Sequence, residues 1–252
     1  MLGRAMMELL PEGLSLAAFW AVVAGSFVAS FITAAFGIGG GAVMLAIMAI
    51  LLPPAALIPV HGVVQFGSNA GRMALLIRSV FWKALPWFAA GSVVGAALGG
   101  ALVVELPPQF VQIGVGGFVI YTVLARPPKW LSRWPVIGGL VSSFLTMFFG
   151  ATGLFVASFT KSLALPRHGH VATHAALMTV QHCLKIVVFG LLGFAFGPWL
   201  AAIAAMILAG LLGTWAGGLI LNRLTDTNFK GVLDVLLVVI AVRLIWGGVS
   251  AL

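Results

Sequence analysis

Phe31-Ile32-Thr33-Ala34-Ala35-Phe36-Gly37-Ile38-Gly39-Gly40-Gly41 returns 113 residues later as Phe144-Leu145-Thr146-Met147-Phe148-Phe149-Gly150-Ala151-Thr152-Gly153-Leu154. At the same offset, with no gap, Pro53 falls on Pro166, His61 on His174 and Arg72 on Lys185. Ten of the 48 positions from 30 to 77 are identical to their counterparts in 143–190, and these include two glycines, the proline and the histidine. A repeat of this length marks a duplicated chain, with one half at 1–128 and the other at 129–252.

Composition names the solvent. The chain is 62% hydrophobic and 7% charged, with a mean hydropathy of +1.19, whereas a soluble domain carries about a quarter charged residues. Most of it must therefore face lipid. The 32 glycines and 12 prolines fit that solvent, since membrane helices tolerate both. A single cysteine, Cys183, excludes an intrachain disulfide. The net charge of +8 does not point to nucleic acid, because the cations stand singly at segment ends, where they anchor loops.

Ten apolar segments can be drawn, at approximately 14–36, 40–52, 56–77, 83–104, 109–125, 134–150, 153–165, 171–192, 197–221 and 229–250. The second and seventh match under the repeat and are too short for the roughly 20 residues that a crossing needs. Each follows a glycine-rich break, so each is expected to be a half-helix inside the membrane. A cleaved leader is not expected, because the first segment carries half of the repeat.

Loop charge sets the orientation. The odd-numbered gaps between segments hold Arg78, Lys83, Arg126, Lys129, Arg133, Arg167, Arg223 and Lys230, while the opposite side has Arg4 as its one cation, beside Glu8, Glu12 and Glu105. Eight cations against one place the odd gaps in the cytoplasm and both termini outside. Five segments per half then oblige the second half to enter the membrane in the opposite sense. The expected fold is an all-α polytopic membrane protein made of two inverted five-segment repeats, a layout common among transporters.

The candidate site follows from the breaks. Gly37, Gly39, Gly40 and Gly41, and their counterparts Gly150, Thr152 and Gly153, precede helices whose first amides have no intrahelical partner. Such an end carries about half a positive charge and suits an anion. The alternative is glycine for tight helix packing. His61, Gln65, Ser68 and Arg72 lie 4, 3 and 4 residues apart, hence on one helix face; His174, Met178, Gln181 and Lys185 form the matching face, with Asn69 and His182 paired one position on. Polar groups in hydrocarbon are costly, so this stripe should face a cavity or another helix. Arg72 could instead snorkel to the cytoplasmic surface beside Arg78. Gly91, Gly95 and Gly99, like Gly213 and Gly217, read as packing faces. Asp234 is the one acidic residue deep in a span, which argues against a cation pump, and no nucleophile elbow, HExxH or Walker loop is present.

The motif Phe36-Gly37-Ile38-Gly39-Gly40-Gly41, the short apolar run, Pro53-Pro54 and the polar-faced helix resemble the sulfite exporter TauE/SafE family of membrane transporters. The similarity of layout covers essentially the whole chain, the specific motif about 40 residues per half. The resemblance implies export of small sulfur-containing anions such as sulfite and organosulfonates. Ala151, Thr152 and Leu154 depart from the glycine pattern, so the two half-sites need not be equal.

The resulting expectation is a secondary transporter in the cytoplasmic membrane of a bacterium, not an enzyme, with no metal or cofactor. A small anion binds between the two breaks, and Gly37, Gly39, Gly40, Gly41, His61, Gln65, Arg72, Gly150, Thr152, Gly153, His174, Gln181 and Lys185 supply the contacts. With so few deep carboxylates, His61 and His174 are the candidates for proton coupling, since imidazole titrates near 6.5. His170, one turn before His174, offers a relay. An anion channel, an intramembrane haem or metal protein using His61, His174 and His182, and a purely structural subunit stay open as alternatives. A homodimer is also left open.

Overall fold

The structure is a computed structural model that describes residues 10–11, 13–36, 39–103, 107–124, 134–220 and 227–252, without the side chains of 108, 122, 227–234 and 236. Gly37 and the loop charges Arg4, Glu8, Glu12, Glu105, Arg126, Lys129, Arg133 and Arg223 lie outside the described residues, as do the side chains of Lys230 and Asp234. The rest is all-helical. The α-helices among the described residues are α1 (Leu16–Phe36), α2 (Gly40–Leu51), α3 (Pro54–Leu75), α4 (Leu85–Val103), α5 (Pro108–Leu124), α6 (Pro135–Phe149), α7 (Gly153–Ser162), α8 (Arg167–Leu191), α9 (Leu200–Ile220) and α10 (Thr227–Val249).

These ten correspond one to one with the ten expected segments. Helix ends at Phe36 and Phe149, and helix starts at Gly40 and Gly153 and at Pro54 and Arg167, coincide under the 113-residue shift. Proline sets the last pair: Pro53 and Pro166 precede the first helical residue, where a missing N–H costs nothing. Helices α2 and α7 have 12 and 10 residues, about 18 and 15 Å at 1.5 Å per residue, half of a hydrocarbon core of roughly 30 Å. Among the described residues, Leu16–Phe36, Trp82–Val103, Arg167–Leu191 and Gly197–Ile220 are long and apolar enough to cross a membrane. At 22 residues α3 has the length, but its polar stripe lowers its hydropathy. Large apolar side chains such as Trp20, Leu98, Leu208, Leu212, Trp215 and Trp246 stand exposed on the outer faces, as lipid requires. The chain is a polytopic membrane protein.

The most extensive packing joins helices from different halves: α4 with α6, α1 with α9, α5 with α10 and α3 with α8. The first two pairs exchange under the repeat, and the last two map onto themselves. Backbone contact makes the first two close. A Cβ on Gly91 or Gly95 of α4 would collide with the carbonyls of Val136 or Leu140 of α6; on Gly213 or Gly217 of α9 it would collide with Phe27 or Phe31 of α1. These glycines are packing faces, as the sequence indicated.

Residues beside the odd-numbered gaps meet at one end. The Arg167 guanidinium donates to the Ala35 carbonyl at 3.0 Å. The Phe81 amide donates to Thr173 Oγ1 at 2.9 Å. A cavity of about 380 Å³ is lined by Phe81, Lys83, Pro135, Phe159, Ser162 and Leu163. At the other end Gly13 lies against Pro53. An up-and-down path through ten helices requires this sorting.

Adjacent glycines provide a test of the packing. Gly217→Ala and Gly95→Ala should each destabilise the protein by about 1–3 kcal/mol, the usual cost of overpacking. Gly218→Ala, whose Cβ would meet nothing within 4 Å, should leave the thermal midpoint in detergent unchanged or slightly raised. Equal midpoints for Gly217→Ala and Gly218→Ala would mean that α9 and α1 are not in backbone contact.

Candidate functional site

The two breaks bring α1 to α2 and α6 to α7 by different turns. Gly39 holds the first with φ 106° and Gly150 the second with φ 76°. Both lie in the left-handed region that favours glycine. Under the repeat Gly39 matches Thr152, whose φ is −91°, so the breaks are related but not identical. At the helix starts the Ala42 and Val43 amides donate to the Gly39 carbonyl, and the Phe155 amide to that of Thr152, which leaves the amides before them without an intrahelical acceptor.

Two histidines hold the breaks. His61 Nε2 lies 3.1 Å from the Gly41 carbonyl, and His174 Nε2 lies 3.1 Å from the Gly153 carbonyl. A ring nitrogen facing a carbonyl carries the proton and donates. In the neutral ring the other nitrogen, Nδ1, is then an acceptor. His61 Nδ1 is buried and has no hydrogen-bond partner. The sequence reading had these histidines donating to the anion; in this structure the Nε2–H of each is occupied by the helix start, and only a second proton at Nδ1 would supply a further donor.

The second break is also held by its own α8. Lys185 is fully buried, and its ammonium donates to the Gly150 carbonyl at 3.1 Å, which also accepts from Thr146 Oγ1 at 2.8 Å. Gln181 Nε2 donates to Thr152 Oγ1 at 2.6 Å, and its Oε1 is buried without a partner. Lys185 does more than serve its own half. Its stem runs over Gly62 of α3, where a Cβ would sit 2.9 Å from the lysine Cδ, and its charge is felt by His61.

Arg72 is 2% exposed and does not snorkel. Its guanidinium donates to Asn69 Oδ1 at 3.1 Å and Ser68 Oγ at 3.3 Å, and Ser68 Oγ lies 2.9 Å from Ser30 Oγ on α1. Arg72 Nε is buried with no partner. A fork with two acceptors one turn back holds the side chain along its own helix rather than letting it reach the surface. Asn69 in turn donates to the Gln65 carbonyl at 2.8 Å, and Gln65 Nε2 sits over Gly41, 3.5 Å from where a Cβ would be. Across the helix pair, His174 feels the charge of Arg72.

Thus Gly41, His61 and Gln65 gather at the first break, and Gly150, Thr152, Gly153, His174, Gln181 and Lys185 at the second. Gly40 faces elsewhere: a Cβ there would strike the Ala29 carbonyl and Thr33 Oγ1 of α1. Its missing side chain makes room for a helix, so a bulky residue at 40 cannot report on an anion pocket. Sequence reasoning passed over Ser30, although the repeat pairs it with Ser143, which is fully buried and unpartnered. It also took Arg167 for a loop anchor, whereas Arg167 caps the end of α1.

The glycines separate by substitution. Gly40→Ala should lower the thermal midpoint, while Gly41→Ala and Gly153→Ala, which add a methyl at ordinary contact distances of 3.5 and 3.6 Å, should keep it. The reverse ranking would show that α2 presents a different face to α1.

Among the described residues no group of three His, Cys, Asp or Glu side chains comes together as a metal site. No curated protein and no solved structure matches the chain. The model of one family does: sulfite exporter TauE/SafE, over residues 22–244. With nearly all of its length matched, and with helices and breaks where the family motif stands, the chain belongs to the TauE/SafE family of sulfite exporters, which are membrane transporters.

Proposed function

We propose that this protein is a secondary transporter that carries a small sulfur oxyanion, sulfite or an organosulfonate, outward across the cytoplasmic membrane of a bacterium. The observation that carries this reading is a pair of buried cations, Arg72 and Lys185, whose hydrogen-bond partners are all neutral oxygens. A buried cation without a counter-charge is strongly unfavourable. An anion seated between them supplies that charge. Two helix N-termini add aligned amides on either side. The free N–H groups of Lys185, Arg72 Nε and the Gln65 amide are the donors that remain for its oxygens.

The two halves act as inverted repeats of five helices, 1–128 and 129–252. The coincidence of helix boundaries under the 113-residue shift supports this, as do the cross-half pairs that exchange or map onto themselves. In alternating access, the halves rock about the α3–α8 contact, and the anion is exposed to one side at a time. The odd gaps face the cytoplasm on the strength of their cations, which also draw anions to the entrance lined by Lys83. Transport is proton-linked, with imidazole as the titrating group.

Flux into proteoliposomes tests the reading. A panel of sulfite, sulfoacetate, thiosulfate and sulfate should show saturable transport of one or more, and Lys185→Gln and Arg72→Gln should each reduce it at least about tenfold, the loss expected when a charged hydrogen bond worth about 1.5–3 kcal/mol is removed. Flux that rises linearly with concentration would identify a channel instead, and unaltered flux in both variants would remove the buried cations from the site.

Orientation has its own test. A cysteine placed at position 129 should be labelled from the cytoplasm, and one at 105 from outside. The opposite pattern would turn the protein over, and labelling of both from one side would break the inverted repeat.

A further inference from the structure

His182 belongs to no part of the mechanism above, yet it is 1% exposed and its Nδ1 has no partner. It lies on α8, three residues before Lys185, on the same face. Its ring meets that of His61 edge to face, with 6.0 Å between centroids and 77° between planes. Two buried imidazoles with unpartnered Nδ1 atoms therefore touch across the contact between the halves. His61 reaches the first break through Gly41. Lys185 reaches the second through Gly150. His182 meets the ring of the first and shares a helix face with the second.

We propose that His61 and His182 form a proton-sharing pair whose protonation and anion binding require one another. This rests on the anion-transport reading. The proton goes to a free Nδ1 lone pair, turning that nitrogen from acceptor into donor. The resulting imidazolium stands within the field of the Lys185 ammonium, and two cations in a low-dielectric setting repel. An anion beside them removes the repulsion. By reciprocity, a bound proton raises anion affinity by the factor with which the anion raises proton affinity. The other buried titratable groups on α3 and α8 are Arg72, His174 and Lys185. Helices α1, α2, α4, α6 and α9 carry no titratable side chain. The charges that reach the pair are Lys185, and His174 from one side of α8. Arg72 acts on His174 instead.

The repeat supplies a gentle substitution, since Asn69 occupies the position of His182 in the first half. Proton uptake on adding sulfite to weakly buffered, detergent-solubilised protein is to be compared for wild type, His182→Asn, His61→Gln and His174→Gln. Differences between variants at one pH cancel the titration of sulfite itself. Wild type should take up close to one proton more than His182→Asn or His61→Gln, and its sulfite affinity should fall up to about tenfold more steeply per pH unit than theirs. His174→Gln tests the competing assignment, in which the proton rides on His174. Equal uptake in wild type and His182→Asn overturns the proposal, as does loss of uptake in His174→Gln alone. If His182→Asn does not fold, His61→Gln decides in the same way, and a wild type that binds sulfite with no excess uptake over either variant ends the proposal. No sulfite binding by wild type at any pH removes sulfite transport itself, and is thereby distinct from failure of the proton pair.

Discussion

A helix interrupted inside a membrane leaves carbonyls and amides that no bulk water satisfies, and each costs several kcal/mol if left bare. That constraint organises this protein. The Gly150 carbonyl, exposed at the second break, is taken up by Lys185 and Thr146, while His61 and His174 lie against the first-turn carbonyls Gly41 and Gly153 of α2 and α7. All but Thr146 come from α3 or α8. The polar stripes on those helices are therefore first of all the supports of the breaks. On these two helices four buried polar atoms stay without a partner, His61 Nδ1, Arg72 Nε, Gln181 Oε1 and His182 Nδ1, beside the two buried cations Arg72 and Lys185. Positive charge buried among apolar helices favours an anion.

The repeated stripe does different work in the two halves. In the second, a lysine ends at the break itself, on Gly150. In the first, Arg72 turns back along α3 to Asn69 and Ser68, and Ser68 contacts Ser30 of α1. A lysine is a point charge on a flexible stem, whereas the arginine fork takes two acceptors at once. The same position in a duplicated scaffold thus gives one cation that reads the state of a break and another clamped beside its own helix. The differing turns at Gly39 and Gly150 carry the asymmetry into the backbone.

Much of this architecture was legible in the residues. Gly40 and Gly153 start α2 and α7, Pro53 and Pro166 precede α3 and α8, and the glycine faces of α4 and α9 pack as spacing suggested. Helical period and glycine are local signals, and a lipid-facing chain has few competing ones. Tertiary partners were not legible. Nothing in the spacing along α3 tells that Arg72 is buried rather than at the surface, because snorkelling and inward packing share one pattern. Nor can spacing reveal His61 against His182, since the contact joins residues 121 positions apart on two helices. Gly40 misled for a related reason: a glycine that exposes backbone to a ligand and one that admits a neighbouring helix look alike until the neighbour is known.

The contact between α3 and α8 is where these facts converge. It joins the halves, carries the polar groups, and lays Lys185 of one half over Gly62, next to His61 of the other. A rocking motion of one half against the other would shear this contact together with the other three that join the halves. Such a motion would change the distance between His61 and Lys185, and between His174 and Arg72, in the same step that opens a path. Charges that are costly to bury apart and costly to bring together make that step sensitive to whatever ion sits between them. Occupancy and conformation are then linked by the repulsion of groups the protein already holds, with no separate sensor needed.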